Sequence, residues 1–181
     1  MYILGVSGSP RKGNTECMVT RLLELLAEAG HQTEIVLLRK LTVKTCNGCL
    51  ACEAGGIERK GTCKIRDDMQ DIYPKLLEAD IIILGTPVYF DMLSGMLKNF
   101  MDRTCAIWPR LAGKRLAGMA VAEEGIGKAV DNLKTYAHIC NMEWAGQVTA
   151  LAKLPRAVAG DAALNIRIRK LAKKLEKVSK G

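Results

Sequence analysis

Four of the seven cysteines in this chain fall in one polar stretch: Cys46, Cys49, Cys52 and Cys63. Thiolates spaced C-x2-C-x2-C can take three corners of an iron–sulfur cubane, with a more distant fourth closing it. A four-cysteine set also suits tetrahedral zinc. In a reducing compartment such thiols can equally be redox groups or free side chains that shape a loop. Ten residues separate Cys52 from Cys63, and Gly55, Gly56 and Gly61 among them would let the chain bend back. Spacing alone leaves a [4Fe–4S] cluster, zinc, a redox disulfide and free thiols open. Cys17, Cys105 and Cys140 fall in helical patterns and are expected to serve packing.

A second group could bind an anion. The apolar run 2–6 is followed at once by Ser7-Gly8-Ser9-Pro10-Arg11-Lys12-Gly13-Asn14-Thr15. Apolar residues then recur at Val19, Leu22, Leu23 and Leu26, which is helical spacing. Strand, polar loop and helix start follow in that order. Unpaired N–H groups and the dipole at a helix N-terminus favour a phosphate, and glycine lets backbone approach it. The residues match neither a Walker loop nor a G-x-G-x-x-G fingerprint. An ordinary strand-to-helix turn is the alternative. A third stretch, Gly85-Thr86-Pro87-Val88-Tyr89-Phe90-Asp91-Met92, follows another apolar run. Tyr89 and Phe90 could lie against a flat aromatic ligand, or form a pair in the core. His31 and His138 have no ligand partner at helical spacing and receive no role.

The elements that must position these residues alternate. Strands are predicted at 2–6, 33–38, 81–84, 116–122 and, more weakly, 142–151. A helix capped by Asp68 is predicted over 69–79. Leu93, Leu97, Phe100 and Met101 give one apolar stripe, and Val130, Leu133, Ala137 and Cys140 another. Such alternation implies right-handed crossovers and a parallel sheet covered by helices on both faces. Ligands bind such sheets beyond the strand C-termini, at the switch point of strand order. Residues 39–67 interrupt the rhythm with a long polar segment, and segments of that length are usually functional. One domain over 1–181 is expected, with a cysteine-rich insertion at about 39–67.

The net charge of +8 is concentrated. Nine Lys or Arg against Asp161 and Glu176 give residues 151–181 a charge of +7, so the rest is close to neutral. Leu164, Ile168, Leu171, Leu175 and Val178 form an apolar stripe in the same segment. A docked final helix with a solvated basic face is the expectation, and recruitment of an acidic partner or phosphorylated cofactor the alternative. With only 4% aromatic residues, the chain lacks the stacking groups expected of a nucleic-acid protein. No apolar stretch approaches a membrane span, and no signal-like region precedes the first strand. No nucleic acid, no membrane and a cytoplasmic location are expected.

Three motifs in order, Gly8 to Thr15, Thr86-Pro87-Val88-Tyr89-Phe90 and Leu97-Lys98-Asn99-Phe100-Met101-Asp102-Arg103, closely resemble the NADPH-dependent FMN reductase family over residues 1 to about 150. The resemblance implies an α/β, flavodoxin-like, doubly wound five-stranded parallel sheet. It implies FMN, with its phosphate on Ser7, Ser9, Pro10, Arg11, Asn14 and Thr15 and its ring at Pro87, Val88, Tyr89 and Phe90. The loop after the fourth strand adds Glu123 and Gly125, although it is more acidic and less glycine-rich than the family pattern. Within the family, the cysteine segment resembles an iron–sulfur flavoprotein branch, which implies Cys46, Cys49, Cys52 and Cys63 as ligands of a [4Fe–4S] cluster. The last gap is longer here than is typical of that branch. The implied activity moves electrons from NAD(P)H through FMN to an acceptor. The alternative is an electron-transfer protein relaying electrons between protein partners. A homodimer or homotetramer is implied, with residues 98–103 near an interface.

Overall fold

The computed structural model describes residues 1–53 and 63–177. Five strands lie parallel in one sheet: β1 (Tyr2–Ser7), β2 (Gln32–Leu37), β3 (Ile81–Tyr89), β5 (Arg115–Ala122) and β6 (Glu143–Leu151). Their spatial order is β2-β1-β3-β5-β6, and the two-residue β4 (Met92–Leu93) pairs antiparallel with the end of β3. The chain therefore winds first one way from β1 and then the other, which leaves a switch point between β1 and β3.

Helices cover both faces because successive strand residues point to opposite sides. On one face Leu4, Val6, Ile82 and Leu84 pack with α2 (Met69–Glu78), α3 (Gly95–Arg103) and α4 (Ala129–Ile139). On the other, Ile3, Ile81 and Ile83 pack with α1 (Asn14–Glu28) and α5 (Ala162–Glu176). β1 is buried along its whole length, as its unbroken apolar sequence requires.

Three expectations shift. β3 runs on to Tyr89, so residues 85–89 are strand rather than loop, and Leu93 belongs to β4 rather than to α3. The Asp68 side chain does not cap α2. It accepts from the Thr42 N–H at 2.7 Å, while Asp67 accepts from the Met69 N–H at 3.1 Å.

The final helix docks as its stripe requires. Leu164, Ile168, Leu171 and Leu175 are buried, and Asp161 caps the start by accepting from the Leu164 N–H at 2.8 Å. Arg115 donates to the Leu175 and Lys177 carbonyls at 2.9 and 3.1 Å, so a cation satisfies orphan carbonyls at the helix end. Among the described residues, no helix is long and apolar enough to cross a membrane. A 3-10 turn spans Leu38–Lys40, and the described residues from there to Asp68 form no strand or α-helix. Gly55, Gly56, Gly61 and Val178 lie outside the described residues.

Candidate functional site

The ends of β1, β3 and α3 are sewn together. The Gly8 N–H donates to the Gly85 carbonyl at 2.8 Å, and Ser94 Oγ donates to the Gly8 carbonyl at 2.6 Å. Ser94 also accepts from the Leu97 N–H at 3.1 Å, capping α3, and its own N–H donates to Thr86 Oγ1 at 2.9 Å. Position 8 must be glycine for this closure, because a Cβ there would sit 2.5 Å from the Leu97 Cβ.

The polar loop continues from this knot. Ser9 Oγ donates to the Arg11 carbonyl at 2.7 Å and accepts from the Arg11 N–H at 3.3 Å, which bends the loop toward α1. Gly13 begins α1 with no side chain capping it, so the first-turn N–H groups are left to other acceptors. Ser7 is buried, yet its hydroxyl has no hydrogen-bond partner among the described residues. A buried unpaired hydroxyl and an uncapped helix start at one sheet edge are what an oxyanion would satisfy.

Ser9, Arg11, Asn14, Thr15, Pro87, Val88, Tyr89 and Glu123 line one open cavity of about 60 Å³. Ser7, Pro10, Phe90 and Gly125 do not line it. Val121, Ala122 and Ala152 do, and sequence reasoning missed them. The strand order held the signal, since β5 and β6 must end beside β3. Asn14 is also engaged structurally: its amide donates to the Leu154 carbonyl at 2.9 Å.

Tyr89 and Phe90 do not form a core pair. Tyr89 is 42% exposed, and Phe90 is fully exposed. Phe90 and Asp91 both take positive φ, 49° and 60°, between the paired residues Tyr89 and Met92. That is the backbone of a two-residue primed hairpin turn, which usually selects Asn-Gly or Asp-Gly. The following loop braces the strained tip. The Lys128 N–H donates to the Asp91 carbonyl at 2.6 Å, and a Cβ at Gly127 would lie 2.4 Å from the Asp91 Cβ.

The four cysteines meet elsewhere. Cys46 and Cys49 are exposed, Cys52 and Cys63 half-buried, and all four line a cavity of about 30 Å³ with Asp102, Arg103 and Cys105. Cys105, expected to serve only packing, therefore belongs to this cavity, from a 3-10 turn at Thr104–Ala106. Cys140 is buried, and burial pushes its thiol up to about 11, consistent with an inert packing role. Among the described residues no three His, Cys, Asp or Glu side chains converge closely enough for a single metal ion. A cubane makes a different demand, since each of its irons takes one thiolate and the four are spread over its corners. Four thiols lining one cavity are donors of the type a [4Fe–4S] cluster takes.

Arg103 borders this cavity from the end of α3. It forms a fully buried, two-pronged ion pair with Asp67, Nη1 to Oδ2 at 2.5 Å and Nη2 to Oδ1 at 3.0 Å. Burial works against the Asp67 charge, but the bonds from Arg103 and from the Lys44 and Met69 N–H groups hold its carboxyl below the usual range. Tyr73 donates its hydroxyl to the Arg103 carbonyl at 2.9 Å.

Strand order and the location of the first cavity define a flavodoxin-like protein, whose ligand crevice lies at the β1/β3 switch point. A solved NADH:FMN oxidoreductase superposes with a TM-score of 0.74, at 19% identity, across 98% of this chain and 90% of that one. The chain belongs to the NADPH-dependent FMN reductase family, whose model matches residues 1–153. An iron–sulfur flavoprotein of Methanocaldococcus jannaschii is 44% identical over 105 residues, 58% of this chain and 52% of that protein. One from Methanosarcina thermophila is 34% identical over 149 residues, 78% of this chain and 75% of that protein. The chain thus spans about half the length of the first of these relatives.

Proposed function

We propose that this chain is an FMN-dependent oxidoreductase that draws electrons from NAD(P)H and passes them to an acceptor. The observation that carries the reading is one cavity that the Ser9 to Thr15 stretch and the end of β3, Pro87 to Tyr89, line together at the switch point. The uncapped start of α1 with Ser9, Arg11 and Thr15, all on the cavity, would hold the FMN phosphate. Pro87, Val88 and Tyr89 would border the ring, and Glu123 would close the far side. Bound FMN supplies the hydride-accepting chemistry, and the protein's part is to bind, orient and shield it. No side chain is required as an acid or base for hydride transfer itself.

Cys46, Cys49, Cys52 and Cys63 would hold a [4Fe–4S] cluster, supported by their shared cavity and by the names of the relatives. A cluster supplies one-electron exchange, which complements a two-electron flavin. The cysteine stretch at 39–67 is then an insertion with its own redox group in an otherwise flavodoxin-like domain.

Anaerobic titration of the FMN-loaded protein with NADPH or NADH tests the activity. Bleaching of the flavin band by either nucleotide is expected. Flavin that dithionite reduces but neither nucleotide does would overturn the oxidoreductase reading in favour of a relay between proteins.

A further inference from the structure

Arg103 offers five N–H donors, and four are used. Nη1 donates to the Lys44 carbonyl at 2.7 Å and to Asp67 Oδ2 at 2.5 Å. Nη2 donates to Asp67 Oδ1 at 3.0 Å and, more weakly, to the Ile65 carbonyl at 3.4 Å. The fifth, Nε–H, is buried without a partner among the described residues, on a side chain with no solvent exposure. Buried donors are almost always paired, so an orphan on a fully buried arginine calls for an acceptor.

The positions of the used bonds matter. Lys44 stands two residues before Cys46, and Ile65 two residues after Cys63. One side chain on α3 therefore bonds the backbone two residues from Cys46 and two residues from Cys63. Arg103 also lines the cavity those cysteines share. Asp67 balances the positive charge locally. What Arg103 adds to the cavity is thus a clasp and one unspent donor.

We propose that Arg103 is a positioning residue for the cysteine site, fixing the backbone beside Cys46 and Cys63 through Lys44 and Ile65 and giving its Nε–H to a cluster or cysteinyl sulfur. This rests on the cluster reading given above. A hydrogen bond to sulfur stabilises the more negative, reduced cluster and so raises its reduction potential. Lysine in its place keeps a cation for Asp67 but cannot reproduce the planar fork or the fifth donor.

The test compares wild type, Arg103→Lys and the neutral pair Arg103→Gln with Asp67→Asn, all prepared without oxygen and loaded with iron and sulfide. FMN content and thermal melting report whether the fold is intact. Iron content and the cluster midpoint potential report the proposal. In variants that keep FMN, the potential should shift to more negative values, with iron retention lower in the neutral pair than in Arg103→Lys. Potential and iron content equal to wild type in both variants would overturn the proposal and leave Arg103 a staple of the fold. Wild type that holds FMN but takes up no iron would instead fail the cluster reading, and this proposal with it.

Discussion

The two candidate sites are held in place by different means. The cavity at the sheet edge is assembled from the ends of β3 and β5, the start of α1 and the loop that follows β1. Backbone and near-neighbour bonds tie those ends together, as at Gly8–Gly85 and Ser94–Gly8. The cysteine cavity draws Asp102, Arg103 and Cys105 from the end of α3 and the 3-10 turn after it, but its four cysteines sit on described residues outside any strand or α-helix. Arg103 ties that stretch to α3 through Lys44, Ile65 and Asp67, beside the Asn99–Val43 and Thr42–Asp68 bonds. A site on strand ends inherits the stability of the sheet, whereas one clasped by a buried ion pair fails when either partner is removed.

Breaking the clasp should have the largest effect. Arg103→Ala leaves the Asp67 charge buried and uncompensated, and removing one partner of such a pair costs about 3–5 kcal/mol. Urea denaturation should show that loss, together with faster proteolysis in residues 44–67. A change below about 1 kcal/mol would mean that the segment is held by something else. Acid probes the same pair. The folded pKa of Asp67 is lowered, so its contribution is fully present above the ordinary carboxylate value of about 3.9. It is lost as pH falls through the lower folded value. Asp67→Asn should flatten the fall in stability below about pH 4, measured by melting in a pH series.

The frame of the sheet gives a second contrast. Leu175→Ala, at a fully buried position on α5, should cost about 2–5 kcal/mol. Reversing the exposed charge at Lys173 should change stability by no more than about 0.5 kcal/mol. Denaturant melts in the opposite order would contradict the docked helix. At the sheet-edge cavity, Arg11→Ala removes a charge-assisted contact worth about 1.5–3 kcal/mol. FMN affinity should fall roughly ten- to a hundredfold with little change in melting temperature. Unchanged affinity would remove Arg11 from the phosphate site.

Legibility in the sequence follows the same division. The strands and the α5 stripe were readable because their burial shows as period 2, period 3.6 or an unbroken apolar run. The sequence marks β3 as strand only over the four residues Ile81 to Leu84, because Gly85-Thr86-Pro87 looks like a turn. Pairing with β5 up to Pro87↔Val121, and then with β4, overrides that local signal. The polar loop was legible because strand, loop and helix are contiguous. The clasp was not, because Arg103 looks like a cation at a helix end and its partners lie 36 to 59 residues away. Cys105, on a 3-10 turn, shares the cysteine cavity because its neighbours there come from another segment, which local spacing does not show.

The central claim is that these two regions hold two different redox groups. Quantifying FMN, iron and sulfide in one anaerobic preparation tests it most directly. The account predicts about one FMN and about four irons per chain, with flavin bands beside broad iron–sulfur absorption. Full FMN occupancy with near-zero iron after reconstitution would contradict the claim at the cysteine cavity. Failure to bind added FMN would contradict it at the sheet edge.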